Sequence, residues 1–515
     1  MTSEVNGTVA IYNVRNFGAS GKKEEDAQAA IQQAIDTCAR GGGGMVYFPP
    51  GEYTTGTLHL RSHVRLFVEA GATIFSSKDP DSFDKRALLY GEDLENISIE
   101  GRGTVDGQGE YEWHLMGDFR DWYIYPNQVQ AEQAGVPLMR SFPTGNSVGH
   151  LVLLIRCKDV RITGLSFLRS PSWTMHLWGC ERLVIDSIYI RTSLRDGVWA
   201  DGIDPDGCKD VRISNCTIET GDDALVFYSS SIYGPALPCE NITVTNCRLS
   251  SASSAIKFCD GNMNAIRNVT IDNCAITSSN RGIAFMVFDG GVVENMVLSN
   301  LTVECERFDW FWWGDGDPLH FNLIKRSEID ANIDKTKEPA IGVIRNVIIS
   351  NVIAKGQGSC LIHGHVDSPL ENITLENVRL AIAHNAQAHP RKSVNAVTIE
   401  NVRNFRLKDF EIVWDAPYSK QWQSAMLVQN AKNLTLEGVS ARQAPNDTEE
   451  AAIVFNDVDG GLVTGCRAQE GTGTMFQFTG DKTQDVVLWG NDYRQARVPA
   501  EVASDVEYGA VHEGW

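Results

Sequence analysis

The chain has 515 residues, 43% apolar and 22% charged, proportions that suit a globular protein able to bury a sizeable core. Its 66 acidic against 45 basic residues leave a formal charge of −21, which argues against the basic face that a nucleic-acid partner needs. No apolar run approaches a membrane span, and the opening MTSEVNGTVAIYNV lacks the basic start and apolar run of a secretion signal, so a cytoplasmic protein is expected.

The first predicted element is a helix in EEDAQAAIQQAIDTCARGGGG. Ala30, Ile31, Ala34, Ile35 and Cys38 share one helical face, and the glycines stop it. Residues 1–45 are expected to cap the open edge of the β-structure C-terminal to them.

From residue 46 to about 490 the chain is expected to form a repeat. VRITGLSF, LVIDSIYI, VRISNCTI, ITVTNCRL, VTIDNCAI, MVLSNLTV, VIISNVIA, ITLENVRL and VTIENVRN align as alternating strands with a polar turn. Asn215, Asn246, Asn273, Asn300, Asn351, Asn377 and Asn401 form one column, with steps of 24 to 31 residues and one of 51. One such unit cannot bury its apolar face alone. Stacked units can, at ~4.8 Å per coil, with asparagine side chains bonding along the stack. The expected fold is therefore all-β, a right-handed parallel β-helix (solenoid) with a short N-terminal capping helix, forming one elongated domain over 1–515. The long step holds ERFDWFWWGDGDPLH, an aromatic insertion near 305–345, and 491–515 is expected to be a tail. The 12 cysteines lack framework spacing and any CxxC pair, which suits small buried residues in a reduced protein and argues against a zinc site.

Residues 200–223, ADGIDPDGCKDVRISNCTIETGDD, hold seven carboxylates. Asp201 precedes Asp222 and Asp223 by 21 and 22 residues, close to one coil, so the three should be neighbours on one sheet face. Like charges so placed repel, and one should retain a proton near neutral pH. A proton donor beside ionised carboxylates is what glycosidic cleavage needs, whereas the same cluster could also hold calcium or face solvent. Asp204 is expected to hold the turn, and Asp206, Asp210 and Glu219 to face solvent.

The stretch ADGIDPDGC followed by TGDD resembles the motif pair of glycoside hydrolase family 28, the polygalacturonase family, with Ala200 in place of the family's threonine. YNVRNFGASG, GGGGMVYFPPGEY, LFVEAGATI and SPSWTMHLWGC are similar to that family too, so the resemblance spans residues 12 to 380. It implies that Asp222 is the general acid and that Asp201 and Asp223 activate the attacking water, with inversion at the anomeric carbon. The family continues with Gly-His-Gly on the next coil and Arg-Ile-Lys on the one after. Here Ser253, Ala284 and Met286 fall at the histidine, arginine and lysine positions. A cleft that keeps its acids but lacks those cations should not take unmodified polygalacturonate.

Further substrate-binding candidates are Lys257, on the same strand face as Ser253, and Arg281, either of which could replace the missing cations or be a surface residue. Trp310, Trp312 and Trp313 suit stacking on sugar rings, or packing of the insertion. Trp173 and His176 lie one coil before Asp201, and His363, with His365, could close the far rim. The expected function is a cofactor-free, metal-independent, inverting and exo-acting glycoside hydrolase whose partner is a carbohydrate. The alternatives are a β-helix lyase or epimerase acting on a uronate, and a non-catalytic carbohydrate-binding β-helix.

Overall fold

The computed structural model describes residues 10–115, 141–143, 149–259, 261–308, 314–329, 333–385, 394–446 and 448–514. By contact density the chain divides into two compact units. One comprises residues 1–116, 140–222 and 233–247, and the other residues 117–139, 223–232 and 248–515.

In the first unit a short strand, Ile11–Asn13, precedes the helix Gln28–Arg40, which buries Ile31, Ala34, Ile35 and Cys38, while Ala30 is only half-buried. The predicted face and the glycine stop are both present.

Coils then stack in register. In one column Ala87–Glu92, His150–Ile155, Met175–Trp178 and Ile203–Asp206 pair in parallel, aligning Tyr90, Leu153, His176 and Asp204. In the next column Glu95, Lys158, Glu181, Lys209 and Glu240 form a ladder of alternating charge. Beside it Ile97, Val160, Leu183, Val211 and Ile242 fill the core. A slip of one residue would put Ser98, Arg161, Val184, Arg212 and Thr243 in the place of those core residues, so the pattern enforces the register.

Strands of that second column alternate buried and accessible residues, as in Lys209–Ser214. The first column differs, because His150–Ile155, Met175–Trp178 and Ile203–Asp206 are buried on both faces from residue 151 onward. Tyr233 packs over the outer face of that column, against Trp178, Tyr90, Leu153 and Ile155.

In the second unit Leu225–Phe227, Ser254–Phe258, Arg281–Val287 and Asp317–Leu323 stack in the same way. Phe227, Phe258, Phe285 and Phe321 form an inner ladder with centroids 5.2, 4.5 and 4.2 Å apart. Val226, Lys257, Ala284 and His320 align on the alternate, outer face.

The asparagine column is a side-chain ladder: Asn351 Nδ2 donates to Asn300 Oδ1 at 3.0 Å and Asn377 Nδ2 to Asn351 Oδ1 at 2.8 Å. All seven predicted asparagines have φ between 51° and 57°, the left-handed bend that asparagine tolerates better than most residues. Asn401 does not continue the column. Ile373 pairs with Phe405, not with the VTIEN strand, and Asn401 donates instead to the Gly364 carbonyl. The stretch expected to be a C-terminal tail carries strands Ala496–Val502 and Val511–Gly514, which pair with the preceding coils. The described fold is nearly all-β, a right-handed parallel β-helix with one α-helix among the described residues. No helix among the described residues is long and apolar enough to cross a membrane.

Candidate active site

Asp201 and Asp222 come from successive coils of the first unit. Both are buried, with 2% and 6% of their surface exposed, and each offers a carboxylate oxygen within 4.8 Å of the other. The turn that carries Asp222 is built by close packing. Gly221 N–H donates to Thr192 Oγ1 at 2.9 Å, and Thr220 Oγ1 donates to the Asp222 carbonyl at 2.8 Å. A Cβ on Gly221 would lie 2.3 Å from both the Ser193 and the Gly197 carbonyl oxygens, so the TGDD glycine is fixed by space.

Asp222 Oδ2 accepts a hydrogen bond from the Trp199 backbone N–H at 3.1 Å. Trp199 has φ 60°, a conformation that costs a bulky residue, and its ring is 39% exposed. The left-handed backbone delivers the N–H to the acid, and the residue stays partly exposed. Composition gives no warning of this residue, and its position next to Asp201 is the one available signal.

Asp223, the next residue, belongs to the second unit and is 2% exposed. Its Oδ2 accepts from Lys257 Nζ at 2.8 Å and its Oδ1 from the Ser254 N–H at 2.9 Å. Lys257 is therefore committed to a resident carboxylate.

The upstream candidates sit as the spacing implies, since Thr174 N–H donates to the Asp201 carbonyl at 2.8 Å. Trp173 is half-buried, with its ring centroid 4.7 Å from that of His176 and 5.6 Å from that of His150. His176 has no exposed surface, its Nε2 lies 3.2 Å from Asp206 Oδ2, and the Tyr233 ring packs tilted against it with centroids 5.5 Å apart. It can therefore shape the site but offers no face to a ligand here. Asp206, expected to face solvent, is 1% exposed and is the partner of that histidine. Its parity puts it on the outer face, and the Tyr233 segment covers that face. Asp204 is fully buried.

The model of glycosyl hydrolases family 28 matches residues 38–304. The chain belongs to that family. A "Probable polygalacturonase" of Vitis vinifera is 27% identical over 266 residues, covering 47% of this chain and 49% of its own. An "Exopolygalacturonase" of Zea mays is 23% identical, covering 48% and 54%. The chain thus spans about half the length of the curated relatives it matches. An exopolygalacturonase structure from Thermotoga maritima shares the fold with TM-score 0.60 at 21% identity, covering 79% of this chain and 92% of its own. The family 28 exopolygalacturonase of Yersinia enterocolitica aligns with TM-score 0.60 at 18% identity, covering 83% and 78%.

Within this family 28 chain, the residues expected at the family's two basic positions lie in an apolar environment. Ala284 and Met286 pack with Phe288 and Ile324 in an apolar cluster. Arg281 is 7% exposed and lies 3.6 Å from Asp317. His363 Nδ1 lies 2.7 Å from Glu400 Oε2, and His365 Nε2 lies 3.1 Å from Glu328 Oε1, so both histidines have carboxylate partners. Trp310, Trp312 and Trp313 lie outside the described residues. His320 and Asp317, which sequence reasoning missed, enter the site face because the insertion returns the chain to the strand Asp317–Leu323. Its extra length, in the 51-residue step, hides their register from any count of spacing.

Proposed function

We propose that the chain is a glycoside hydrolase in which Asp222 donates the proton to the leaving oxygen while Asp201 and Asp223 orient and deprotonate water. The observation that carries this is the buried pair Asp201 and Asp222, with carboxylate oxygens within 4.8 Å, on a family 28 scaffold. The hydrogen bonds support a division of labour. Both oxygens of Asp223 accept, from Lys257 and Ser254, which suits a group that takes a proton. Asp222 Oδ2 accepts from Trp199, so the transferred proton is assigned to Oδ1. Inversion follows from the family resemblance. One oxygen of each carboxylate lies within 4.8 Å of the other, nearer than the ~6.5–9.5 Å between the carboxyl groups of typical inverting pairs, so the resemblance and not this distance carries inversion.

The substrate in this proposal is a neutral or substituted glycoside rather than unmodified polygalacturonate, although the relatives' names point to the latter. Ala284 and Met286 offer no cation, and Lys257 already neutralises Asp223. An exo mode is supported by Tyr233, which packs over the outer face of the first unit's strands and covers part of it. The 12 free, buried cysteines support a reducing, cytoplasmic setting.

A screen of aryl glycosides and plant oligosaccharides against the wild type and Asp222→Asn tests the proposal, with the product anomer followed by NMR. Activity on neutral glycosides, lost in the variant and yielding the inverted anomer, is expected. Equal activity of the two proteins would refute the role of Asp222. A retained anomer would refute inversion, and turnover of polygalacturonate as fast as neutral glycosides would refute the substrate class.

A further inference from the structure

The end of the insertion closes over Arg281. A Cβ on Gly314 would come within 2.9 Å of Arg281 Cγ and Nε, and Gly316 N–H donates to Asn280 Oδ1 at 3.1 Å. Covered in this way, the guanidinium is poorly satisfied. Nη1 meets the Met286 sulfur at 3.7 Å, and Nε is 3.6 Å from Asp317 Oδ2, beyond hydrogen-bond reach. Nε has no hydrogen-bond partner among the described residues. Nε is thus a buried donor held only by a long ion pair to Asp317, and leaving such a donor without a hydrogen bond is costly. This arrangement calls for oxygen atoms from a ligand.

The location favours a substrate. Arg281 is the strand partner of Ser254, whose N–H holds Asp223. His320, with Nδ1 3.3 Å from Asp317 Oδ2, is the strand partner of Ala284, which pairs in turn with Lys257. Arg281 is therefore two strand spacings, ~10 Å, and Asp317 three, ~14 Å, from Asp223 along the same stack.

Two kinds of oxygen could meet this need, a uronate carboxylate or sugar hydroxyls. A carboxylate bound to Arg281 would meet the charge of Asp317 and have no proton to offer it. A hydroxyl accepts from the guanidinium and can donate to the carboxylate without opposing its charge. We propose that Arg281 and Asp317 together recognise hydroxyl groups of a neutral sugar, and that Asp317 is the residue that excludes uronates. The proposal rests on the glycosidase reading and names its substrate class.

The test is calorimetric binding in the Asp222→Asn background, so that ligands survive. Matched di- and trisaccharides are used, galactose against galacturonate and glucose against glucuronate. The neutral member should bind about tenfold tighter, a difference of ~1.4 kcal/mol. Asp317→Asn, nearly isosteric, should abolish or reverse that ratio, and Arg281→Gln should weaken the neutral ligand. Because each ratio is read on one protein sample, loss of folded protein cannot mimic it. A ratio unchanged by Asp317→Asn, a uronate preference with Asp317 intact, or no binding of any neutral ligand would overturn the proposal. Turnover by the protein with Asp222 intact is scored separately, so failure of the glycosidase reading and failure of this one are distinguishable.

Discussion

Lys257 Nζ lies 2.8 Å from Asp223 Oδ2, with both side chains almost wholly buried. Removing one member of a buried ion pair strands the other, at a typical cost of ~3–5 kcal/mol. Lys257→Met should therefore lower the unfolding free energy by about that amount and reduce kcat. Adding Asp223→Asn should recover part of the stability without restoring the rate. Denaturant titration and steady-state kinetics on the single and double variants check this. A double variant no more stable than Lys257→Met would remove the ion pair as the cause.

Trp199 joins a strained backbone to an exposed ring, and its N–H holds Asp222. Trp199→Gly keeps that N–H and relieves the left-handed strain, but it loses the ring. If the ring is a stacking platform, KM should rise about 2- to 10-fold, matching ~0.5–1.5 kcal/mol of aromatic contact, while kcat holds. Trp199→Ala should show the same KM and lower thermal stability than the glycine variant. An unchanged KM in both would exclude the ring from substrate binding.

Much of the fold was legible because each coil repeats the same alternation and the same left-handed asparagine. Asp201 and Asp222 could be paired from spacing because the intervening coil has near-standard length. Where coil length changes, legibility fails. Asn401 resembled the column in its local letters, yet Val397–Trp414 runs as one 18-residue strand through successive sheet columns and displaces it. Asp206 looked solvent-facing because nothing in its neighbourhood reveals that Tyr233, 27 residues on, covers it. His320 and Asp317 were missed for a related reason: an insertion of arbitrary length precedes them. Lys257 was read either as a site cation or as a surface residue, and that it instead holds Asp223 depends on a few ångströms that no pattern encodes.

His150 supplies a pH test of the first unit. Its Nδ1 is buried without a hydrogen-bond partner among the described residues, and burial, with the neighbouring His176, pushes its pKa down to about 3. An unfolded histidine titrates near ~6.5. Between those values the unfolded state binds the extra proton, so stability falls as pH falls from about 6.5 towards 3. This residue alone adds a slope of at most ~1.4 kcal/mol per pH unit. His150→Phe keeps an aromatic ring beside Trp173 and should flatten the acid limb of stability against pH by that slope. Parallel curves for wild type and variant would show that His150 is not the titrating group.

Asn351 tests the ladder itself. It donates to Asn300 and accepts from Asn377, at φ 55° on an exposed edge. Asn351→Ala loses both side-chain bonds and places a Cβ in the left-handed region, an expected loss of ~2 kcal/mol. Asn351→Gly loses the same bonds without the Cβ penalty, so it should be more stable than the alanine variant. In an ordinary strand the order is reversed, glycine being the worse by ~0.5–1 kcal/mol. Chemical denaturation of the two variants decides between them. An alanine variant as stable as the glycine one would mean that the bend relaxes on substitution and that the asparagine is chosen for its side-chain bonds alone.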